Sequence, residues 1–295
     1  MICHTTAEIA TQPDSWSRAV ELAPRMRDVL PVRGERVAVI GCGTSWFVGQ
    51  AYAALRERAG AGETDAFAAS EAPVGRRYDR VVALSRSGTT TEVVDLLRRF
   101  EGRVPTTAIT ADPATPVASL ADHVAVLAFA DEVSVVQTRF ATTTLAVLRA
   151  HLGDDLAGAI ADVRRAVVEP LPPDVVGAEQ HTFLGQGWTY GLAQEAALKM
   201  REAAGGWTEA YLSMEYRHGP ISIAAPGRVV WVLGTPPAGL VEEITATGAA
   251  LVNDQLDPLA DLVRAQRLAV AVAGVRGLDP DHPRSLTRSV VLARP

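Results

Sequence analysis

One segment of the chain combines the signals of a strand, a loop and a helix: Val81-Val82-Ala83-Leu84-Ser85-Arg86-Ser87-Gly88-Thr89-Thr90-Thr91-Glu92-Val93-Val94-Asp95-Leu96-Leu97. Its first four residues form a short apolar run rich in valine, which is typical of a strand buried on both faces. Apolar residues then recur at helical spacing, as at Val93 and Leu96. Thr89, with Glu92 three residues later, predicts a capping box where the helix begins.

The loop in this segment carries a high density of hydroxyl groups. The first turn of a helix has unpaired N–H groups and roughly half a positive charge, so it attracts anions. The hydroxyls of Ser85, Ser87, Thr89 and Thr90 would surround a phosphate bound there. The loop contains no Lys and lacks the Gly-x-x-x-x-Gly-Lys pattern, which favours a small phosphorylated metabolite over a nucleotide. The alternative is an ordinary capped turn with surface hydroxyls.

Two loops of the first half resemble known sugar-phosphate sites. Residues 85–90 resemble the phosphosugar loop of the SIS (sugar isomerase) domain family, in particular the isomerase half of glutamine:fructose-6-phosphate amidotransferase and free-standing aminosugar-phosphate deaminases. Residues 41–45 resemble the family's Gly-x-Gly-Thr-Ser turn, whereas a dinucleotide site would need a third Gly at a different position. The resemblance implies substrate contacts by Gly43, Thr44, Ser45, Ser85, Arg86, Ser87 and Thr90.

A third loop, residues 132–139, resembles the family's Glu-x-x-Val-x-x-Thr-Lys segment beside the sugar. The resemblance implies that Val135 and Gln137 contact the substrate. Arg139 stands where Lys is usual. This arginine is either a ligand or the partner in a structural ion pair.

Composition limits the function classes. The 295 residues are 48% apolar and 21% charged, which suits a globular protein with two cores. The net charge of −6 argues against nucleic-acid binding. Two cysteines exclude a disulfide scaffold, and no apolar run reaches the ~18 residues that span a bilayer. A cytoplasmic location without membrane contact is therefore predicted.

The chain contains an internal duplication. Gly41 and Gly43 match Gly185 and Gly187 at one constant offset, which is about half the chain. We predict an N-terminal arm at 1–35, a first subdomain at 36–168 with the phosphosugar loop, and a second at 174–295. The family resemblance implies an α/β fold of two tandem SIS subdomains, each a flavodoxin-like parallel sheet flanked by helices.

The second copy has lost the features of a phosphate loop. Its strand at 229–233 leads into Pro236 and Pro237, which cannot donate backbone hydrogen bonds, and the serines are absent. We therefore expect one phosphate site per chain. The segment between 241 and 261 is also short compared with that of the SIS family, and the resemblance therefore implies that the second sheet has lost a strand.

Three residues of the second half are candidate catalytic groups: Lys199, Glu202 and His218. They lie in segments that resemble the family's Ala-Leu-Lys-x-Lys-Glu and Glu-x-x-His-Gly-Pro motifs. The resemblance implies that Glu202 moves a proton between C1 and C2 of the sugar. It also implies that His218 opens the ring in the neighbouring subunit's pocket, so the catalytic unit is a homodimer with shared active sites. The alternatives are a surface ion pair and a loop histidine.

The segment 281–290 resembles the family's C-terminal segment, in which a Lys forms a Schiff base with the open-chain ketose. Arg288 occupies that position, and a guanidinium is not an amine nucleophile because its pKa stays above ~12. Arg288 remains a candidate substrate contact.

These observations favour an isomerase that deaminates an aminosugar 6-phosphate. No glutaminase domain is expected ahead of residue 8, and neither a cofactor nor a metal is predicted. The alternatives are an aldose–ketose phosphosugar isomerase without nitrogen chemistry and a non-catalytic phosphosugar sensor.

Overall fold

Residues 3–293, which the computed structural model describes, contain two parallel β-sheets. The first sheet consists of β1 Val37–Gly41, β2 Thr64–Ala68, β3 Arg80–Leu84, β4 Thr106–Thr110 and β5 His123–Val126. The second consists of β6 Gln180–Gly185, β7 Trp207–Leu212, β8 Arg228–Val232 and β9 Ala250–Val252. The strand orders are β2-β1-β3-β4-β5 and β7-β6-β8-β9. The predicted α/β fold is confirmed, the first order is flavodoxin-like, and the second sheet is one strand smaller.

Helices alternate with the strands along most of the chain. They are α1 His4–Ala10, α2 Gln12–Leu22, α3 Thr44–Arg58, α4 Thr91–Phe100, α5 Pro116–Leu120, α6 Arg139–His151, α7 Ala157–Ala166, α8 Pro173–Val176, α9 Trp188–Ala204, α10 Leu240–Ala246 and α11 Pro258–Val275. None of these helices is long and apolar enough to cross a bilayer.

The core around the first sheet follows from the apolar pattern of the sequence. The last four residues of β3 are fully buried, as expected for a central strand covered on both faces. In α4 the buried residues recur at helical spacing, at Val93, Leu96, Leu97 and Phe100, and they pack with β3 residues in one cluster. This packing fixes the direction in which the β3–α4 loop leaves the sheet.

The duplication is visible in the backbone of the two Gly-x-Gly turns. Gly43 precedes α3 with φ 52° and ψ −122°, and Gly187 precedes α9 with φ 57° and ψ −125°. A Cβ at Gly41 would approach the Ser45 backbone to 2.8 Å, and one at Gly185 would approach the Thr189 backbone to 2.3 Å. Both turns therefore require glycine at the same two positions, where the helix returns close to the strand end.

The described residues pack into two compact units that are discontinuous in sequence. The first-sheet unit contains residues 14–133, 139–156 and 287–293, and the second-sheet unit contains 3–13, 134–138 and 157–286. Residues 3–13 join the second-sheet unit because α1 packs on α11. Packing therefore divides the chain differently from the predicted ranges 1–35, 36–168 and 174–295. As limits of independently folding domains, those ranges stay a prediction.

We expect acid to destabilise the protein through His181. This side chain is buried in β6, and its Nε2 lies 2.8 Å from the Val175 carbonyl oxygen. Burial lowers the pKa of His181 below the ordinary 6.5. Because the unfolded chain then binds more protons than the folded one, the free energy of unfolding should fall as the pH drops below about 6.5.

The measurement is the melting temperature of wild type and His181→Gln between pH 7.5 and 5. The glutamine amide can still donate to Val175 but does not titrate. The variant should therefore lose fewer degrees over this range. His123→Gln, at a half-buried position in β5, is the control. Equal pH dependence in wild type and His181→Gln would contradict the assignment.

Candidate functional site

The β3–α4 loop has the tight turn that its sequence predicts. Gly88 has φ 63°, and a Cβ there would lie 2.1 Å from Thr115 Oγ1. The Gly88 N–H donates to Ser85 Oγ at 3.1 Å, which closes the turn beneath the exposed part of the loop. A side chain at position 88 would therefore change both the backbone conformation and the packing of the loop.

Three hydroxyls of this loop converge on one point. Ser87 Oγ and Thr89 Oγ1 donate hydrogen bonds to Ser289 Oγ at 3.1 and 2.9 Å, and Thr90 Oγ1 lies 3.3 Å from the same atom. These three side chains form what we call the hydroxyl cradle: Ser87, Thr89 and Thr90. The convergence places three potential donors around a space that holds one oxygen atom.

The predicted capping box is wrong. Helix α4 begins at Thr91, with Thr90 as N-cap residue, and the Thr90 side chain caps no backbone N–H group. The hydroxyl of Thr89 is directed to Ser289 and not to a helix N–H group. The loop is one residue longer than the motif requires, which leaves the cradle hydroxyls free of capping contacts.

Arg86 makes contacts within the protein, although the sequence makes it a candidate substrate contact. Its side chain is 3% exposed, and its guanidinium lies 3.7 Å from a Glu132 carboxylate oxygen. A second nitrogen donates to the Arg288 carbonyl at 3.2 Å. Arg86 therefore fixes the loop and the segment that contains Arg288, and we regard it as a positioning residue.

Glu132 connects this arginine to helix α6. Its carboxylate accepts hydrogen bonds from the backbone N–H groups of Arg139 at 2.7 Å and Phe140 at 3.1 Å. These are N–H groups of the first helical turn, so a buried carboxylate is well placed there. The Arg139 guanidinium donates to the Asp131 carbonyl. This contact favours the structural role of Arg139 over a ligand role.

Arg288, at the position of the family's Schiff-base lysine, is engaged with the same segment. Its guanidinium donates to the Glu132 carbonyl and lies 2.5 Å from an Asp131 carboxylate oxygen. Asp131 and Arg288 are each about 40% exposed in their side chains. The charge of Arg288 is thus paired with a carboxylate of its own unit.

Gly43, Thr44 and Ser45 lie at the N-terminus of α3, and both hydroxyl residues are buried. Strands β1 and β3 are neighbours in the sheet, and the strand order reverses between them. Ligands of open parallel sheets bind outside the carboxyl ends of the strands at such a switch point. The β1–α3 turn and the β3–α4 loop therefore adjoin the position where a ligand is expected.

The candidate pair of the second-sheet unit is not a surface ion pair. Lys199, on α9, is 1% exposed, and its ammonium contacts the carboxylates of Glu202 and of Glu195, the latter at 3.4 Å. A buried charge must be paired and hydrogen-bonded to be tolerated. Lys199 is therefore held between two carboxylates, and it fixes the Glu202 side chain. Glu195 was not predicted, although it lies four residues before Lys199 on the same helix face.

Glu202 borders open space, which gives its carboxylate access to a ligand. A cavity of about 360 Å³ is lined by the ends of α9 and α11 and by the chain that follows. Among its lining residues are Arg201, Glu202, Arg276 and His282. The carboxylate thus combines a fixed position with contact to a polar cavity.

The other candidates of the second-sheet unit are on loops. His218 ends a short 3₁₀ turn and is exposed. Val135 and Gln137 are half-buried. Within residues 3–293 the buried Gln137 Nε2 has no hydrogen-bond partner, so it can still donate to a ligand. Ser134, beside them, is fixed by its hydrogen bonds to Glu8.

The candidates thus form two groups, and each group lies within one unit. The first-sheet unit contains Gly43, Thr44, Ser45, Ser85, Arg86, Ser87, Thr90 and Arg288. The second-sheet unit contains Val135, Gln137, Lys199, Glu202 and His218. The sequence interpretation did not identify Asp131, Glu195 and Ser289. Only Glu195 had a local signal, because the contacts of the other two span long distances in sequence.

Comparison with known proteins agrees with this architecture. Residues 32–152 match the family model of the SIS domain. The chain is 27% identical over 305 aligned positions to glutamine–fructose-6-phosphate aminotransferase (isomerizing) from Methanothermobacter thermautotrophicus, covering 88% of this chain and 52% of that protein. The chain therefore spans about half the length of the curated relatives it matches.

Two solved structures share the fold over almost the whole chain. Glucosamine-6-phosphate deaminase from Thermotoga maritima has a TM-score of 0.83 at 25% identity, with 98% of this chain and 100% of that chain covered. Tagatose-6-phosphate ketose/aldose isomerase from Escherichia coli has a TM-score of 0.78 at 18% identity, with 99% and 96% covered. The family model thus identifies a SIS domain at residues 32–152, and the two solved structures share the fold of almost the whole chain.

Proposed function

We propose that the chain is an enzyme that isomerises an aminosugar 6-phosphate, such as glucosamine 6-phosphate, and releases ammonia. The observation that carries the proposal is the hydroxyl cradle, whose three converging side chains suit a phosphate. The carboxylate of Glu202, which Lys199 positions, suits proton transfer.

The phosphate site uses neutral donors and a helix N-terminus. Hydrogen bonds from hydroxyl and N–H groups to a charged phosphate are shorter and about twice as strong as those between neutral groups. The cradle residues directly precede α4, and the first N–H groups of a helix point toward the residues before it. Such a site can bind a phosphate monoester although the loop contains no lysine.

In the proposed reaction His218 opens the sugar ring by proton transfer. Glu202 removes the proton from C2 of the open-chain 2-amino aldose and returns it to C1, while a proton from the nitrogen passes to the C1 oxygen, which gives a ketose imine. Water then hydrolyses the imine to a ketose phosphate and ammonia. A carboxylate and an imidazole are suitable groups because each can accept and donate a proton near neutral pH.

The contacts of Arg288 favour the deaminating direction. In this direction the nitrogen is already on the substrate, so no lysine Schiff base is needed. The Arg288 guanidinium contacts Asp131 and the Glu132 carbonyl, and Lys199 is held by two carboxylates. The T. maritima structure, at 25% identity, is of a glucosamine-6-phosphate deaminase, which supports the same direction.

The test is an assay of ammonia and ketose phosphate from a panel of hexosamine and hexose 6-phosphates. Ammonia together with fructose 6-phosphate from glucosamine 6-phosphate is the expected result. Interconversion of aldose and ketose phosphates without ammonia would support a plain isomerase, a possibility consistent with the shared fold of the E. coli enzyme. Ligand-induced stabilisation without any product would support a sensor.

The proposal includes a cytoplasmic homodimer. The exposed position of His218 supports a role in the neighbouring subunit's pocket, because an exposed imidazole is accessible to a second chain. Phosphorylated sugars are metabolites of the cytoplasm, and the substrate class therefore supports that location.

Ser87→Ala should weaken binding of glucosamine 6-phosphate about tenfold, because one charge-assisted hydrogen bond is worth ~1.5–3 kcal/mol. The dissociation constant can be measured by calorimetry, with Glu202→Gln as the background so that the ligand is not consumed. Ser119→Ala, which removes a hydroxyl from α5 in the same unit, is the matched control. An unchanged dissociation constant would mean that the phosphate binds elsewhere.

A further inference from the structure

We propose that the C-terminal segment, residues 287–293, is a built-in competitor for the phosphate site, and that phosphate must displace Ser289 to enter the hydroxyl cradle. The inference rests on the proposed function, because it concerns the regulation of the same site. It is carried by the contacts of Ser289 and of the residues that follow it.

The hydrogen-bonding capacity of Ser289 is fully used. A hydroxyl has two acceptor lone pairs and one proton. Ser289 Oγ accepts from Ser87 and Thr89, which occupies both lone pairs, and its proton is then available for Thr90 Oγ1 at 3.3 Å. The protons of Ser87 and Thr89 are likewise committed to Ser289. A phosphate oxygen therefore obtains these two donors only when Ser289 leaves.

The backbone of the segment occupies the helix N-terminus beside the cradle. The Thr91 N–H, the first of α4, donates to the Val290 carbonyl at 3.1 Å. The Leu292 N–H donates in turn to Thr91 Oγ1 at 2.9 Å. The segment thus accepts from both kinds of donor that the proposed phosphate site offers, hydroxyl groups and an N–H group of the first helical turn.

Displacement by phosphate is favourable on electrostatic grounds. Ser289 is neutral, so its hydrogen bonds in the cradle are of the weaker, neutral kind. A phosphate dianion receives charge-assisted bonds from the same hydroxyls and gains from the helix N-terminus. The segment can therefore occupy the cradle when no ligand is bound and still be displaced by phosphate.

Arg288 supplies a tether that does not depend on the cradle. Its guanidinium contacts Asp131 and the Glu132 carbonyl, and its own carbonyl accepts from Arg86. These contacts involve residues outside the hydroxyl cradle. Ser289 and the following residues can consequently leave while Arg288 holds the segment nearby, which keeps the local concentration of the competitor high.

The experiment measures the affinity of the full chain for inorganic phosphate by calorimetry at fixed ionic strength. Ser289→Ala removes the competing hydroxyl and should tighten phosphate binding about three- to tenfold, the loss of one or two neutral hydrogen bonds. Ser285→Ala removes an exposed serine four residues earlier in the sequence, and as the control it should leave the affinity unchanged. Ser87→Ala should weaken binding.

A structural readout separates displacement from a general change in affinity. In wild type, phosphate should accelerate hydrogen exchange of the Leu292 amide, because its acceptor on Thr91 is lost when the segment leaves. If Ser289→Ala binds phosphate equally well or more weakly, or if exchange at Leu292 slows, the competitor model is overturned. If Ser87→Ala weakens binding in that case, the phosphate site itself stands. If no variant binds phosphate, both proposals fail.

Discussion

Replacing Glu202 with Gln is expected to lower the rate of ammonia release from glucosamine 6-phosphate by about 10²- to 10⁴-fold, the range typical for loss of a positioned general base. Glutamine has nearly the same shape but cannot accept the C2 proton. The carboxylate of Glu195 still contacts Lys199 at 3.4 Å, so the buried ammonium keeps a partner and α9 should keep its structure.

Two further measurements make this result specific. Glucosamine 6-phosphate should still raise the melting temperature of Glu202→Gln, because the proposed phosphate site consists of the hydroxyl cradle and does not include Glu202. Glu242→Gln, which removes an exposed carboxylate from α10, should retain full activity. If Glu202→Gln keeps more than about a tenth of the wild-type rate, Glu202 is not the proton carrier.

The strands and the β3–α4 loop could be predicted because their sequence signals are local. The apolar run of β3, the glycine at 88 and the helical spacing of α4 all lie within one short segment, and each feature has the predicted form. The Gly-x-Gly turns were predictable for the same reason. Their backbone geometry is set by residues only four positions apart.

The partners of the site residues could not be predicted because their contacts span long distances in sequence. Ser289 lies 202 residues from Ser87, and Arg288 lies 157 residues from Asp131. No periodicity connects such positions. The capping box failed for the same reason, since the hydroxyl of Thr89 is bound by the distant Ser289 instead of the next helical turn.

Burial, which a sequence pattern does not give, also changes how the Lys199–Glu202 pair is interpreted. At a spacing of three residues the pair has the signature of an exposed ion pair worth ~0.3 kcal/mol. With Lys199 1% exposed and a second carboxylate from Glu195, the same two residues become a buried charge network. The contact with the buried ammonium therefore fixes the geometry of Glu202, while Glu195 remains a second partner of that ammonium.

The proposed homodimer with shared active sites predicts that two inactive variants restore activity when they are mixed. If His218 acts in its neighbour's pocket, Glu202→Gln and His218→Ala are each inactive as homodimers. In a heterodimer one pocket receives both lesions and the other receives none. A random mixture is half heterodimer, and half of the heterodimer's pockets are intact, so about a quarter of the wild-type activity should return if the pockets act independently.

The complementation experiment requires proof of subunit exchange, which native mass spectrometry of differently tagged chains supplies. Mixing Glu202→Gln with Glu202→Gln carrying the second tag is the control and should restore nothing. If His218 instead serves its own chain's pocket, every pocket of the heterodimer carries one lesion and the mixture stays inactive. Lys199 fixes Glu202 within its own helix, whereas His218 is exposed. The two possibilities therefore differ in which chain supplies the imidazole to a given Glu202, and this experiment distinguishes them.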